Sequence, residues 1–98
     1  MILPTPDHLR LDTKGRPYFL WDCDVTEEQF KAALATDDPD LRAYWLAKLM
    51  RQAKPDDVFL YVSLAEIRQM WDRVRPILGK ERDLWTFLLN RWEAARVG

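Results

Sequence analysis

Helix-start signals recur at short intervals along this chain, and their spacing limits what it can fold into. Thr26, with Gln29 three residues on, fits a capping box in which each side chain satisfies the other residue's backbone N–H, and Val25 with Phe30 fits the accompanying hydrophobic staple. Asp38 can cap the next helix, with Pro39 suited to its first position and Asp40 complementing its dipole. Ser63 and Glu66 form another capping box. Pro55 ends one helix or starts the next, and Pro76 with Gly79 breaks the pattern again. These marks divide residues 26–96 into four or five short helices.

Apolar spacing within the divisions supplies the inner faces. The first helix runs to about Ala35 and turns Phe30, Ala33 and Leu34 inward. Leu41, Trp45 and Leu49, flanked by Leu46 and Met50, form the stripe of the second, with Arg51 and Lys54 near its C-terminus. Val58–Val62 is an apolar run that could be a strand, but the capping box that follows at once favours a short helix. Ile67, Met70, Trp71 and Val74 mark the next helix, supported by Arg68 and Asp72 at i,i+4. The last spans about Lys80 to Arg96, with Leu84, Trp85, Leu88, Leu89 and Trp92 on one side and Arg82, Thr86, Asn90 and Glu93 on the other.

Ahead of the helices the pattern has period two. Residues 8–12 alternate polar and apolar, Asp12-Thr-Lys-Gly15 has type I turn residues with Gly15 free to turn left-handed, and residues 16–21 return. A β-hairpin over 8–21 is expected after a flexible arm of residues 1–7, an unpaired extended arm being the rival reading. A lone hairpin is marginal in water, so Leu9, Leu11, Phe19 and Trp21 should lie on the helices. At 98 residues the chain forms one domain, 1–98, mainly α, a compact helical bundle with the hairpin packed on it.

Composition removes several kinds of chemistry. One His and one Cys build neither a zinc site nor a disulfide within the chain. Asp22-Cys-Asp24 could be read as a metal-binding D-x-D, yet acids crowding the start of a helix explain it without a metal. Cys23 would need His8 as its base, and no third group orients such a pair. No catalytic residue, metal or cofactor is therefore expected. A net charge of −1 gives no global reason for nucleic-acid binding. The first 49 residues hold 6 basic and 9 acidic side chains and the remainder 9 and 7, a polarity rather than a patch. The start lacks a basic segment before an apolar run, and no stretch of roughly 18 apolar residues occurs, so a cytoplasmic protein off the membrane is expected.

What stands out is aromatic excess: five Trp, four Phe and three Tyr in a chain this short. Trp85 and Trp92, beside Arg82 and Arg91, superficially suit single-strand stacking, but they share a stripe with leucines and have Glu81, Asp83 and Glu93 as neighbours, the pattern of a core. Aromatics are enriched at partner interfaces, and Tyr44, Tyr61 and Trp92 are the ones expected to stay partly exposed and bind a partner.

Pro17-Tyr-Phe-Leu-Trp-Asp22, leading through an acidic cap into helices that end in the Trp-rich segment Leu84 to Trp92, resembles small bacterial helical proteins carrying an FWD or LWD element. The resemblance also touches Tyr44–Leu49, Asp57-Val58 and Glu66-Ile67. Proteins of that kind are often encoded beside abortive-infection-type nucleotidyltransferases. This implies a helical antitoxin-like or accessory partner without chemistry of its own, and it carries no catalytic residue across. The leading expectation is thus a non-enzymatic protein–protein interaction module, with a homodimer as a further option through an edge strand or an apolar helix face. The alternative is a small nucleic-acid-binding regulator using Arg68, Arg75, Arg82 and Arg91.

Overall fold

The structure, a computed structural model, describes residues 4–97, with side chains described as far as Trp92. It is mainly helical. The α-helices are α1 (Asp7–Arg10), α2 (Glu27–Leu34), α3 (Pro39–Gln52), α4 (Pro55–Val58), α5 (Leu64–Val74) and α6 (Arg82–Val97), with 3-10 turns at Tyr18–Leu20, Arg75–Ile77 and Gly79–Glu81. Among the described residues none of the helices is long and apolar enough to cross a membrane.

The caps sit where their residue types put them. Both capping boxes close reciprocally, Thr26 with Gln29 and Ser63 with Glu66, and the Asp38 carboxylate accepts the N–H groups of Asp40 and Leu41. Pro39 and Pro55 each occupy the first turn of a helix, where a missing N–H costs nothing. The short helix α4 therefore ends on Val58, the first residue of the Val58–Val62 run, and the rest of that run is turn and coil where a short helix was expected. Gly79 takes φ +59° as the first residue of the 3-10 turn that leads into α6.

No β-strand forms among the described residues, so the expected hairpin over 8–21 is corrected. Its turn is present: the Gly15 N–H donates to the Asp12 carbonyl with Gly15 at φ +77°, and Leu11 and Pro17 make one isolated antiparallel bridge. The arms beside it fold otherwise. The Pro6 carbonyl accepts the N–H groups of Leu9 and Arg10, and an Arg10–Asp7 ion pair at 2.7 Å closes the same turn, so residues 7–10 are one turn of helix. On the return side Pro17 has no N–H for a ladder, and its carbonyl accepts from Leu20 instead. A strand would send Phe19 and Leu20 to opposite faces, whereas the 3-10 turn buries both, at 0% and 1% exposure. The consequence falls on their neighbours. Leu9 and Trp21, expected inward, face solvent.

Helix α3 is the centre of the packing and meets α2, α4, α5 and all three 3-10 turns. Its buried face runs through Ala43, Leu46, Ala47 and Met50, at i, i+3, i+4 and i+7, with Leu49 beside them. Leu46, Leu49 and Met50 of the expected set are thus buried. The departure is at Leu41, which is exposed, and Trp45, only half-buried, where Ala43 and Ala47 complete the buried face instead. On the other helices Phe30, Ile67, Met70, Val74, Trp85 and Leu89 are buried. Leu84 is exposed despite its place in the expected α6 stripe, and the Glu93 side chain lies outside the described residues.

The fully buried Trp85 indole donates at 2.8 Å to the Met50 carbonyl, one of the four at the end of α3 that lack an intrahelical partner. Trp85→Ala should lower the unfolding free energy by about 3–5 kcal/mol. Trp85→Phe should lower it by about 1–3 kcal/mol, through the unpaired carbonyl. Urea denaturation checks both; a loss below about 1 kcal/mol for the alanine variant would contradict this account of α6 docking.

Candidate functional site

Three polar clasps fasten the N-terminal segment to the helices and determine which of its side chains are left outside. The first centres on Asp57, which is completely buried. Its carboxylate accepts the Thr5 N–H at 2.6 Å, the Thr5 hydroxyl at 2.7 Å and the Tyr18 hydroxyl at 2.6 Å. The Lys54 N–H donates in turn to the Tyr18 oxygen at 2.9 Å. Burial alone would raise the Asp57 pKa, but the donated hydrogen bonds outweigh it and hold the carboxyl below its ordinary range. Burial and the anion beside it push the Tyr18 phenol up to about 12. Residues 4–7 of the expected flexible arm are thus tied down at Thr5, while residues 1–3 lie outside the described residues.

The second clasp joins α1 to α2 and to the turn after α4. The Arg10 guanidinium, only 11% exposed, donates to Glu27 Oε2 at 3.0 Å and to the Tyr61 hydroxyl at 3.1 Å, and the Tyr61 hydroxyl donates to the same Oε2 at 2.7 Å. Burial opposes the charge on Glu27, yet these donors keep its pKa below the usual carboxylate value. Burial, then the hydrogen bond to Glu27, moves the Tyr61 phenol upward. The third clasp is Lys48 on α3, buried and 2.6 Å from Asp22 Oδ2, with Gln52 donating to Asp22 and to the Phe19 carbonyl.

Both acids of the D-x-D sequence have partners of this kind. Asp22 faces Lys48, and Asp24 faces Arg16 at 3.1 Å, so the two carboxylates of the D-x-D sequence engage different cations. No group of three metal-ligating side chains occurs among the described residues. Burial pushes the Cys23 thiol up, away from the thiolate a nucleophile needs. His8 is exposed on α1.

Outside the clasps the chain leaves a groove of about 300 Å³. Leu9, Leu11, Pro17, Leu20, Trp21 and Cys23 give it its apolar walls, with Asp12 and Arg16 on its polar side. Leu9 is 64% exposed and Trp21 77%, the two most exposed large apolar side chains described. Arg16 is held between Asp12 at 2.7 Å and Asp24 at 3.1 Å, and Arg10 is turned inward, so neither offers the groove a free cation. Asp7 and Asp24, 85% and 88% exposed, are the other partners of these two arginines, so the acids beside the groove are matched as well. An apolar cleft of this kind, with its bordering charges already paired, can receive an apolar side chain.

The expected partner residues lie elsewhere and in different settings. Tyr44 is exposed on α3 with its ring edge-on to Trp45. Tyr61 is half-buried among Phe19 and Phe30, its hydroxyl used in the second clasp, and Trp92 is half-buried against Phe59 and Trp85. Of the arginines weighed for nucleic acid, Arg68 is half-buried and donates to the Leu89 carbonyl, whereas Arg75, Arg82 and Arg91 are exposed. Sequence reasoning passed over Thr5, Lys48 and Asp57 as members of clasps. It also placed Trp21 inside, and its only outward signal is the adjacency of four apolar residues, more than one turn can bury.

A carboxylate whose pKa is depressed on folding contributes stability that is present above its unfolded pKa and is lost as pH falls through its folded value. Asp57 and Glu27 both have this sign. The protein should therefore be destabilised by acid below about pH 4, with the clasps failing first. Asp57→Asn, which places an amide donor against donors, should cost about 1.5–3 kcal/mol at neutral pH and flatten this acid dependence. Thermal melts from neutral to strongly acid pH test it: an Asp57→Asn slope as steep as that of the wild type would remove Asp57 as the cause.

No family model, curated protein or solved structure matches this chain.

Proposed function

We propose that this protein is a non-catalytic protein–protein interaction module acting in the cytoplasm, and that the Leu9–Trp21 groove is its contact surface. The observation that carries the reading is the exposure of Trp21, at 77%, beside a cleft whose walls are fixed by buried polar clasps. A tryptophan left outside costs solubility, and at interfaces this residue type supplies a disproportionate share of binding energy. Rigid support lowers the entropy lost on docking.

The occupant is a polypeptide segment presenting an apolar side chain flanked by lysine or arginine. Its apolar part suits the cleft, and its charge suits the net −3 of residues 1–49. A nucleotidyltransferase of the class implied by the resemblance, with this protein as its antitoxin-like or accessory subunit, fits the role if it displays such a segment. Tyr44 extends the contact surface only for a partner large enough to reach α3.

The test is affinity capture from the native host at moderate salt with nuclease present, using the wild type, Trp21→Ala, Leu9→Ser and Arg82→Ala as a surface control. A stoichiometric partner held by the wild type and the control should be reduced more than about tenfold by each groove variant, with melting temperatures unchanged. Equal capture by the groove variants would remove the groove as the contact surface. Capture that disappears on nuclease treatment would instead support the nucleic-acid reading.

A further inference from the structure

Helix α6 buries Trp85 and Leu89 and half-buries Leu88 and Trp92, which leaves its other side outward. At 100° per residue, Asp83, Leu84, Asn90 and Arg91 all lie within about 60° of Phe87 on that outward side. All five are exposed, Phe87 at 58% and Leu84 at 42%. Asp83 and Arg91 make no ion pair among the described residues. The face is thus an apolar centre with one acid four residues before it and one base four residues after it.

That arrangement complements itself. A two-fold axis passing beside Phe87 and perpendicular to α6 runs two copies of the helix antiparallel and brings Phe87 against its own counterpart. Residues at equal and opposite offsets then come level: Asp83 of one copy meets Asn90 and Arg91 of the other, so an acceptor faces two donors, and the relation occurs twice. Leu84 comes level with the same Asn90 and Arg91 and lies on the Arg91 side, where the aliphatic stem can cover it. Parallel pairing would instead oppose Asp83 to Asp83 and Arg91 to Arg91. We infer that the Phe87 face of α6 binds a second copy of this chain in an antiparallel, two-fold homodimer. The surface is separate from the Leu9–Trp21 groove and does not depend on that groove's role.

A single helix pair buries less than the ~1,600 Å² of a standard interface, so the dimer dissociates with a Kd on the order of 10–100 μM. Sedimentation equilibrium of the intact protein from about 5 to about 500 μM should show the mass rising from one to two chains of 11.7 kDa. Phe87→Glu should leave one chain throughout. Asp83→Arg and Arg91→Asp should each weaken association by about fivefold or more, and the double reversal should return it to within about twofold of wild type. These side chains are exposed, so circular dichroism should not change, and melting should fall only slightly where Asp83→Arg removes the acid from the first turn of α6. A wild type that stays monomeric, a dimer that survives Phe87→Glu, or a double reversal no better than the single ones would overturn the inference. So would a dimer lost with Trp21→Ala and kept with Phe87→Glu, which would place self-association in the groove.

Discussion

A buried carboxylate organises the N-terminal third of this protein. Asp57 has no exposed surface, and an isolated ionised carboxylate in that position would be too costly to keep. What makes it tolerable is that three donors reach it from two segments distant in sequence, Thr5 and Tyr18. The converse also holds. Those segments have few backbone ladders of their own, and the anion gives them a fixed place. The Tyr18 ring rests edge-on against Phe19, so anchoring its hydroxyl helps seat Phe19 against Phe30 and Tyr61. One polar centre therefore fixes an apolar one.

How much could be read from residues alone follows the range of the interaction involved. Capping is local: an Asp or Ser and the donors it satisfies lie within three residues, and the starts of α2, α3 and α5 were legible for that reason. The turn at Asp12–Gly15 was legible on the same ground. The segments beside that turn were not. Their period-two pattern is weak, and long-range bonds to Asp57, Glu27 and Lys48 override it. The α3 face illustrates a second limit. A stripe drawn through its largest apolar residues passes through Leu41 and Trp45, while the closest packing selects the smallest residues, Ala43 and Ala47. The groove was illegible for the first reason, since it exists only because residues 7–21 do not form the expected hairpin.

The aromatic excess divides along the same line. Tyr18, Phe19, Phe30, Tyr61, Trp45 and Tyr44 form one chain of edge-to-face contacts, and Phe59, Trp85 and Trp92 form another. Of these nine rings Phe19, Phe30 and Trp85 are fully buried, five more pack partly buried against the core, and Tyr44 is exposed. Trp21 and Phe87, by contrast, are exposed on opposite ends of the sequence, each at the centre of a surface that no described residue covers. The aromatic count alone pointed to surplus, but not to which rings were surplus. The clasps decided it for Trp21, and the register of α6 decided it for Phe87.

The separation between clasp partners carries a kinetic implication. Thr5 and Asp57 are 52 residues apart and Tyr18 and Asp57 39 apart, whereas the helices form through neighbours within one turn. Closing such loops comes late in folding, after α3 and its neighbours supply something to close upon. Phe19 and Leu20, fully buried between the clasp residues, are sealed in by the same closure. The groove framed by Leu9 and Trp21 is therefore a surface that exists only once the whole molecule has folded.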